Sequence, residues 1–309
     1  MSSSNSTDNN QQQLQYNYIP TEWIAITFLS LFGLSTFVHT IQAFRSRLWW
    51  LFPSAVFCGL LELTGWSGRL WSSQNPFIQN PFIIQGYRAV CLVVAPTPLV
   101  AANFILLGRI IRRLGPQYSR LTPRRYTIIF VSCDIISLVV QGLGGGVASG
   151  SQTSQSQANL GAHIALGGTV FQLVSIVVYC ALAAEFLARY TWDRPVRRSV
   201  PVPNEVLRGT PDKRLNRMLQ AMLVMTIFIL IRTIYRVIEF VSGWNGKIIS
   251  TQWLFNVFDA TMICLAMFTL NVFHPGIYLR GDDFPSPTSS EGTVREDRLQ
   301  TTLNTEKAV

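Results

Sequence analysis

The chain has 309 residues, of which 49% are hydrophobic and only 13% are charged, and it carries a formal net charge of +9. A soluble protein of this length usually has about 25% charged residues, so the composition excludes an ordinary soluble globular protein. Charge is missing from long apolar blocks, and about 20 apolar residues are enough to cross a bilayer as a helix. Most basic residues lie between the blocks, which favours topology signals over nucleic-acid binding.

Residues 1–22 are rich in Ser, Asn and Gln, which predicts an extracellular disordered tail. They contain a glycosylation sequon at Asn5, usable only if this end of the chain lies outside. We expect no cleavable signal peptide, because no charged stretch followed by an apolar run is found here. The first helix would then act as its own insertion signal.

Seven apolar segments predict an all-α, polytopic membrane domain over residues 23–273. The segments are 23–43, 48–71, 84–111, 126–147, 160–188, 218–241 and 253–273. Pro275 and Gly276 then end the last helix, since proline stops a helix and glycine turns the chain. Residues 274–309 are predicted to form a disordered cytoplasmic tail, whose Ser and Thr residues leave a regulatory or trafficking role open.

The distribution of Lys and Arg predicts the orientation. The links after the first, third and fifth segments hold two, five and eight basic residues, and the C-terminal tail holds four. These nineteen residues face a single one, Lys247, in the N-terminal tail and the other links. Since cytoplasmic loops are enriched in Lys and Arg, we expect an N-out, C-in seven-helix bundle.

Ionisable residues inside the predicted helices are the main candidates for function. Seven of them are Glu62, Arg69, Arg88, Arg232, Arg236, Glu239 and Asp259. Each costs about 2.5–3.5 kcal/mol near the bilayer centre, so these side chains should face the bundle interior and pair. The helical rise of about 1.5 Å per residue places all of them in the outer half of the bundle. They predict either an ion-pair network that joins four helices or a polar cavity for a charged head group.

The fourth segment adds a second polar stripe. Asp134 and Gln141 are nearly two helical turns apart, so both should face the core. The glycines Gly142, Gly144, Gly145 and Gly146 follow, and they favour close helix packing over an irregular helix end. In the third segment, Pro96 and Pro98 predict a kink.

Enzymatic functions find no support in the sequence. The predicted positions of His39, His163 and His274 are too far apart to share a metal ion, and no metal-binding spacing occurs. No phosphate-binding loop and no serine-nucleophile elbow are present. We therefore expect no enzyme activity, cofactor or metal, and transport would be passive or driven by a gradient. The five cysteines lie in apolar segments and predict buried free thiols rather than disulfides.

An ordered set of residues across the seven segments resembles the fungal lipid-translocating exporter family. The set runs over about residues 23–280 and includes the second-segment pattern from Glu62 through Gly65 and Trp66 to Arg69. It continues with Gln85, Ala95-Pro96, Ala101-Ala102, Leu107-Gly108-Arg109, Asp134, Gln141 and Gly142 to Gly145. It ends with Gly161, Gly167, Gln172, Arg232, Tyr235, Arg236, Glu239, Asp259 and His274-Pro275-Gly276.

The resemblance implies export of amphipathic molecules such as sphingoid long-chain bases, sterol-like amines or toxic lipophiles, with resistance to them. Our hypothesis is that the seven charges, Asp134 and Gln141 bind or translocate the substrate. Acids such as Glu62, Glu239 and Asp259 would receive an ammonium group while apolar helix faces take its chain. Gln252, Asn256 and Phe104 depart from the family pattern and bear on substrate identity more than on fold. A seven-helix receptor or a stress sensor without transport is the competing class. The plasma membrane is the favoured location and an endomembrane the alternative, while the sequence gives no oligomeric state.

Overall fold

The computed structural model describes residues 21–74, 92–150, 155–196, 212–242 and 251–279, and these ranges are helical apart from short turns. The long helices are α1 Glu22–Ser46, α2 Phe57–Gln74, α3 Pro96–Leu114, α4 Pro123–Gly150, α5 Gln155–Thr191, α6 Lys213–Val241 and α7, which joins Gln252–Phe255, a π-helical turn Asn256–Thr261 and Met262–Val272. Two short turns, Trp49–Leu51 and the π-helical Phe52–Val56, lead into α2. The protein is therefore all-helical in the part that the structure describes.

Several helices extend beyond the apolar blocks from which they are predicted. Helix α5 has 37 residues and begins at Gln155, five residues before the apolar segment. Polar residues at a helix end do not interrupt backbone hydrogen bonding, so a helix continues past the edge of the hydrocarbon. The α1 helix ends where Arg47 adopts a left-handed conformation, φ 55°, and its amide N–H bonds the carbonyls of Ala43 and Phe44.

The predicted kink near Pro96 coincides with a break in the third segment. Residues 92–94 are helical, Ala95 is a turn, and α3 proper begins at Pro96. A proline at the start of a helix loses no internal hydrogen bond, because its missing N–H would be unpaired there in any case. The first part of this predicted segment, residues 84–91, lies outside the described residues.

Six helices are long and apolar enough to cross a membrane. They include α1, α4, α5 and α6, the stretch Leu92–Leu114 that contains α3, and the stretch Gln252–Tyr278 that contains α7. Helix α2 does not meet the same measure, because its 18 residues include Glu62 and Arg69 and end in a polar stretch. The chain is a polytopic membrane protein.

The exposed and buried surfaces are inverted relative to a soluble protein. Phe37 is 65% exposed and Leu143 is 63% exposed, whereas Glu62 is 3% exposed and Asp134 is fully buried. Soluble proteins rarely expose large contiguous apolar surfaces and rarely bury unpaired acids. A hydrocarbon environment explains both features, because it solvates the outer apolar face and drives charge inward.

The helices pack in chain order, and α7 closes the bundle by packing against both α6 and α1. Helix α3 is central: it contacts α2, α4 and α6, and thirteen of its nineteen residues are buried. By contrast, only seven of the 25 residues of α1 are buried. The interior of the bundle is thus organised around α3, with the outer faces of the other helices turned to lipid.

The most extensive helix pair is α4–α5, and only part of the glycine run makes it possible. A Cβ atom on Gly144 would lie 2.4 Å from the Ala165 backbone nitrogen, and one on Gly161 would lie 2.4 Å from the Ala148 nitrogen. At Gly142, Gly145 and Gly146 a Cβ atom would meet nothing within 4 Å. The predicted packing role therefore belongs to Gly144, and the neighbouring glycines line open space.

Candidate functional site

The centre of the site is a carboxylate on α7 that binds an arginine on α6. Arg236 donates from Nε to Asp259 Oδ1 over 2.9 Å and from Nη2 to Asp259 Oδ2 over 2.8 Å. Its third nitrogen, Nη1, donates to Glu239 Oε2 over 2.9 Å, one helical turn along α6. Two parallel hydrogen bonds between a guanidinium and a carboxylate are strong and fix orientation. Arg236 therefore joins α6 to α7 and partly neutralises the negative charges of Asp259 and Glu239.

A second arginine and an acid on α2 extend this centre. Arg232 Nε lies 2.9 Å from Asp259 Oδ1 without hydrogen-bond alignment, so this contact is electrostatic. Its Nη2 donates to the Leu92 carbonyl over 3.2 Å, which ties α6 to the segment before α3. Glu62 interacts electrostatically with Arg232, Arg236 and Asp259. Helices α2, α6 and α7 thus share one charged centre.

Aromatic rings enclose the arginines. The Phe255 ring lies 3.9 Å from the guanidinium carbon of Arg69 and 5.4 Å from that of Arg236. The Trp66 ring lies 5.4 Å from the same carbon of Arg69 and stacks on Phe28 at 4.6 Å. Ring faces attract cations, and the attraction is stronger where water is excluded. These rings give the charges a low-dielectric wall, and they connect α1 to the site.

Six charged side chains form what we call the outer cluster, after the position that the sequence predicts for it in the membrane: Glu62, Arg69, Arg232, Arg236, Glu239 and Asp259. They were predicted to converge, and the structure brings them together with three acids facing three arginines. None is more than 8% exposed. Of the two predicted arrangements, the described conformation thus corresponds to the ion-pair network, and its charged side chains are closed off from solvent. Arg88, the seventh predicted charge, and Asn5 lie outside the described residues.

A π-helical turn places Asp259, and sequence patterns did not indicate it. The turn spans Asn256–Thr261, and Thr261 Oγ1 donates to the Asn256 carbonyl over 2.8 Å. A π-turn widens the helix locally and occurs frequently at functional sites. Asn256, one of the departures from the family pattern, is buried in the same turn. No local sequence signal would have identified this feature, because a hydropathy pattern does not distinguish one π-helical turn from an α-helical turn.

Asp134 and Gln141 form a separate location between α4 and α5. Both are buried, as predicted, and Gln141 Nε2 donates to Gln172 Oε1 over 3.1 Å. The Gln172 amide faces the Asp134 carboxyl, yet neither carboxyl oxygen has an aligned hydrogen bond within the described residues. No ion pair joins this aspartate to the outer cluster in that part of the chain. The predicted site residues therefore divide into two groups.

A polar contact between α1 and α7 escaped sequence reasoning. His39 Nε2 lies 3.2 Å from the Met267 carbonyl, Gln42 Nε2 donates to the Asn271 carbonyl over 2.9 Å, and Ser46 Oγ lies 2.9 Å from His274 Nε2. The regular spacing of these α1 residues is the signal that could have found it.

His163 is exposed on α5, so the three histidines do not meet. Among the described residues, no group of three or more His, Cys, Asp or Glu could hold a metal.

Comparison with known proteins agrees with the resemblance drawn from the motifs. Residues 55–282 match the family described as RTA1 like protein. The chain is 30% identical to the sphingoid long-chain base transporter RSB1 of Saccharomyces cerevisiae over 88% of its own length and 76% of that protein's. It is 30% identical to Protein RTA1 (71% and 64% covered) and 28% identical to Protoporphyrin uptake protein 1 (69% and 65% covered), both of the same yeast.

No solved structure matches the chain. The family match covers more than half of the sequence and includes every member of the outer cluster together with Asp134 and Gln141. The chain belongs to the RTA1-like protein family.

Proposed function

We propose that this protein translocates amphipathic, lipid-like molecules across the bilayer, and that sphingoid long-chain bases are among them. The observation that carries the proposal is a charged interior inside helices whose outer faces are apolar. An amphiphile needs both surfaces, since its chain stays in hydrocarbon while its head group crosses among polar side chains. The sphingoid long-chain base transporter at 30% identity supports this substrate class.

In the proposed arrangement, seven helices span the membrane, with the N-terminus outside and the C-terminus in the cytoplasm. Nineteen basic residues in the predicted inner links against one in the outer links support this orientation. Helix α2 is the seventh span despite its polar residues, because its charged side chains face partners in the interior. The plasma membrane is the proposed location, and the activity confers resistance to exported compounds.

In this proposal, the outer cluster holds α2, α6 and α7 together in the closed conformation. Asp259 binds two arginines of α6, and Arg69 packs on Phe255 of α7, so opening the space between these helices must separate opposite charges. Separated charges are costly in low dielectric unless new partners replace the old ones. An incoming head group with a cationic amine offers such a partner for an acid.

We prefer transport over signalling, because the three relatives named above include a transporter and an uptake protein. Protoporphyrin carries carboxylates, whereas a sphingoid base carries an ammonium group, so the two classes would use opposite charges of the outer cluster. Both substrates belong in one experiment.

Purified protein reconstituted into vesicles should accelerate the movement of a fluorescent sphingoid base between leaflets, compared with protein-free vesicles. Labelled protoporphyrin and a neutral long-chain alcohol provide substrates with other head groups. Selective acceleration of the base supports the proposal. Equal rates with and without protein for every compound would contradict it and favour a receptor or a sensor.

A further inference from the structure

The packing of α4 against α5 buries a line of polar side chains that the outer cluster does not use. This polar seam consists of Asp134, Ser137 and Gln141 on α4 and of Gln172 and Ser175 on α5, and all five residues are buried. The α4–α5 contacts run inward from Gly144 with Ala165 to Phe130 with Tyr179. Because the antiparallel helices descend at the same rate, Asp134 lies level with Ser175.

Asp134 differs from the acids of the outer cluster in having no cation among the described residues. Glu239 and Asp259 each contact arginine nitrogens at 2.9 Å or less, and Glu62 interacts with two arginines. Asp134 is fully buried, and although the Gln172 amide faces its carboxyl, neither oxygen has an aligned hydrogen bond in the described ranges. The Ser175 hydroxyl, at the same level, is also buried and unpartnered there. Within the described residues, the seam therefore contains an acid without a cationic partner.

In the part of the chain that the structure describes, the surroundings of Asp134 hold no other charge that could compensate it. Along this stretch the titratable groups of the helices packed together are Cys133 on α4 and Tyr179 and Cys180 on α5. The charged residues of α3 begin at Arg109, more than one turn inward of Phe104, which packs on Phe130. Among the described residues, no charged or titratable side chain interacts electrostatically with Asp134. A bare carboxylate here would be very costly, so a proton or another cation must accompany it.

The seam lies next to the lipid-facing surface. Ile135 and Ile136, which follow Asp134 directly, are both 54% exposed. On α5, Val174 and Val177 flank Ser175 and are 54% and 50% exposed. An amphiphile could therefore keep its chain against these apolar side chains while its head group enters between the two helices. This geometry suits a single-chain amine better than a solute that arrives from water.

We propose that Asp134 is an exchange site that holds either a proton or the ammonium group of the substrate, which makes the protein an amine/proton exchanger. In this scheme the carboxyl holds a proton, and is neutral, when no substrate is bound. When the O–H bond breaks, the proton leaves to water on one side, and the carboxylate receives the ammonium group as an ion pair. After the ammonium group is released on the other side, a proton from water re-forms the acid. One cation moves each way, so the exchange is electroneutral.

This inference rests on the proposed function and can be tested separately from it. The full chain is reconstituted into vesicles that contain a pH-sensitive dye, and the substrate is the N,N,N-trimethyl derivative of a sphingoid base. That derivative is permanently charged and cannot carry a proton through the bilayer. Entry of the cation should be accompanied by exit of protons, and an imposed proton gradient should drive uphill accumulation.

Three variants locate the site. Asp134→Asn should reduce both fluxes to the level of protein-free vesicles, and Asp134→Glu, which keeps the acid, should retain their coupling. Glu22→Gln makes the same carboxyl-to-amide change at an exposed position on α1 and should behave as the unaltered protein. Coupled proton flux through Asp134→Asn would overturn the inference.

A second measurement does not depend on whether a variant folds. Adding the trimethyl derivative to the unaltered protein in weakly buffered detergent solution should release one proton for each bound cation. Binding without proton release overturns the inference and leaves the proposed function intact. Absence of any substrate movement in vesicles by the unaltered protein contradicts the proposed function itself.

Discussion

Replacing Asp259 with asparagine removes a carboxylate that lies within 2.9 Å of nitrogens of two arginines, and it should lower the stability of the bundle strongly. The carboxylate accepts two hydrogen bonds from Arg236, at 2.9 and 2.8 Å, and lies 2.9 Å from Arg232 Nε. Hydrogen bonds to charged groups contribute about 1.5–3 kcal/mol each. Breaking a buried ion pair by removing one partner costs about 3–5 kcal/mol. For a domain of this size that loss corresponds to a fall in Tm on the order of 10 °C.

The assay is the melting temperature of the purified protein, followed by the loss of its monodisperse peak in size-exclusion chromatography after heating. Glu22→Gln is the matched control, since it makes the equivalent change on an exposed acid. The double variant Arg236→Gln with Asp259→Asn removes one charge of each sign and should recover part of the loss. A melting temperature for Asp259→Asn equal to that of the control, with no coupling in the double variant, would refute the reasoning.

Three further predictions concern packing, ring contacts and orientation. Gly144→Ala should destabilise the protein by about 1–3 kcal/mol through overpacking, whereas Gly145→Ala should not. Only the first substitution would place a Cβ atom against a neighbouring backbone. Thermal unfolding of the two variants compares their stabilities. Phe255→Leu should lower stability by about 1–2 kcal/mol through lost contacts with two guanidinium groups, while Phe171→Leu at an exposed position should have little effect in the same assay. Asn5→Gln should abolish a glycosidase-sensitive shift in electrophoretic mobility of the protein expressed in a eukaryotic cell, and a protease-protected, cytoplasmic N-terminus would contradict the orientation.

Residue spacing predicted the outer cluster for a simple physical reason. Arg232, Arg236 and Glu239 recur at helical intervals, so they must share one face of α6, and a hydrocarbon environment forces that face inward. The acids of α2 and α7 are under the same constraint, at a similar depth. Their meeting follows from burial and charge alone, without knowledge of side-chain contacts.

Other features depend on how neighbouring helices are aligned, which periodicity does not determine. The position of Phe255 between two guanidinium groups requires the π-turn of α7 and the relative rotation of α2 and α6. That no described cation lies at Asp134 became visible only when the facing residues of α5 were known. Its sequence position groups this aspartate with the other candidates, and the structure separates it from them.

The glycines of α4 illustrate the same limit. The sequence gives no reason to prefer one of the four glycines Gly142, Gly144, Gly145 and Gly146 as the contact position. The structure places the close approach to α5 at Gly144, because that residue faces the Ala165 backbone. Its neighbours point elsewhere on the helix surface, where added volume meets no atom of the described chain.

The most direct test of the account is the movement of a fluorescent sphingoid base in vesicles that contain only the purified protein. We expect movement that is faster than in protein-free vesicles, is selective for the cationic head group and is lost in Asp134→Asn. Movement at the same rate in protein-free vesicles, or equal acceleration of a neutral long-chain alcohol, would contradict the central claim that the charged interior handles the head group of an amphipathic amine.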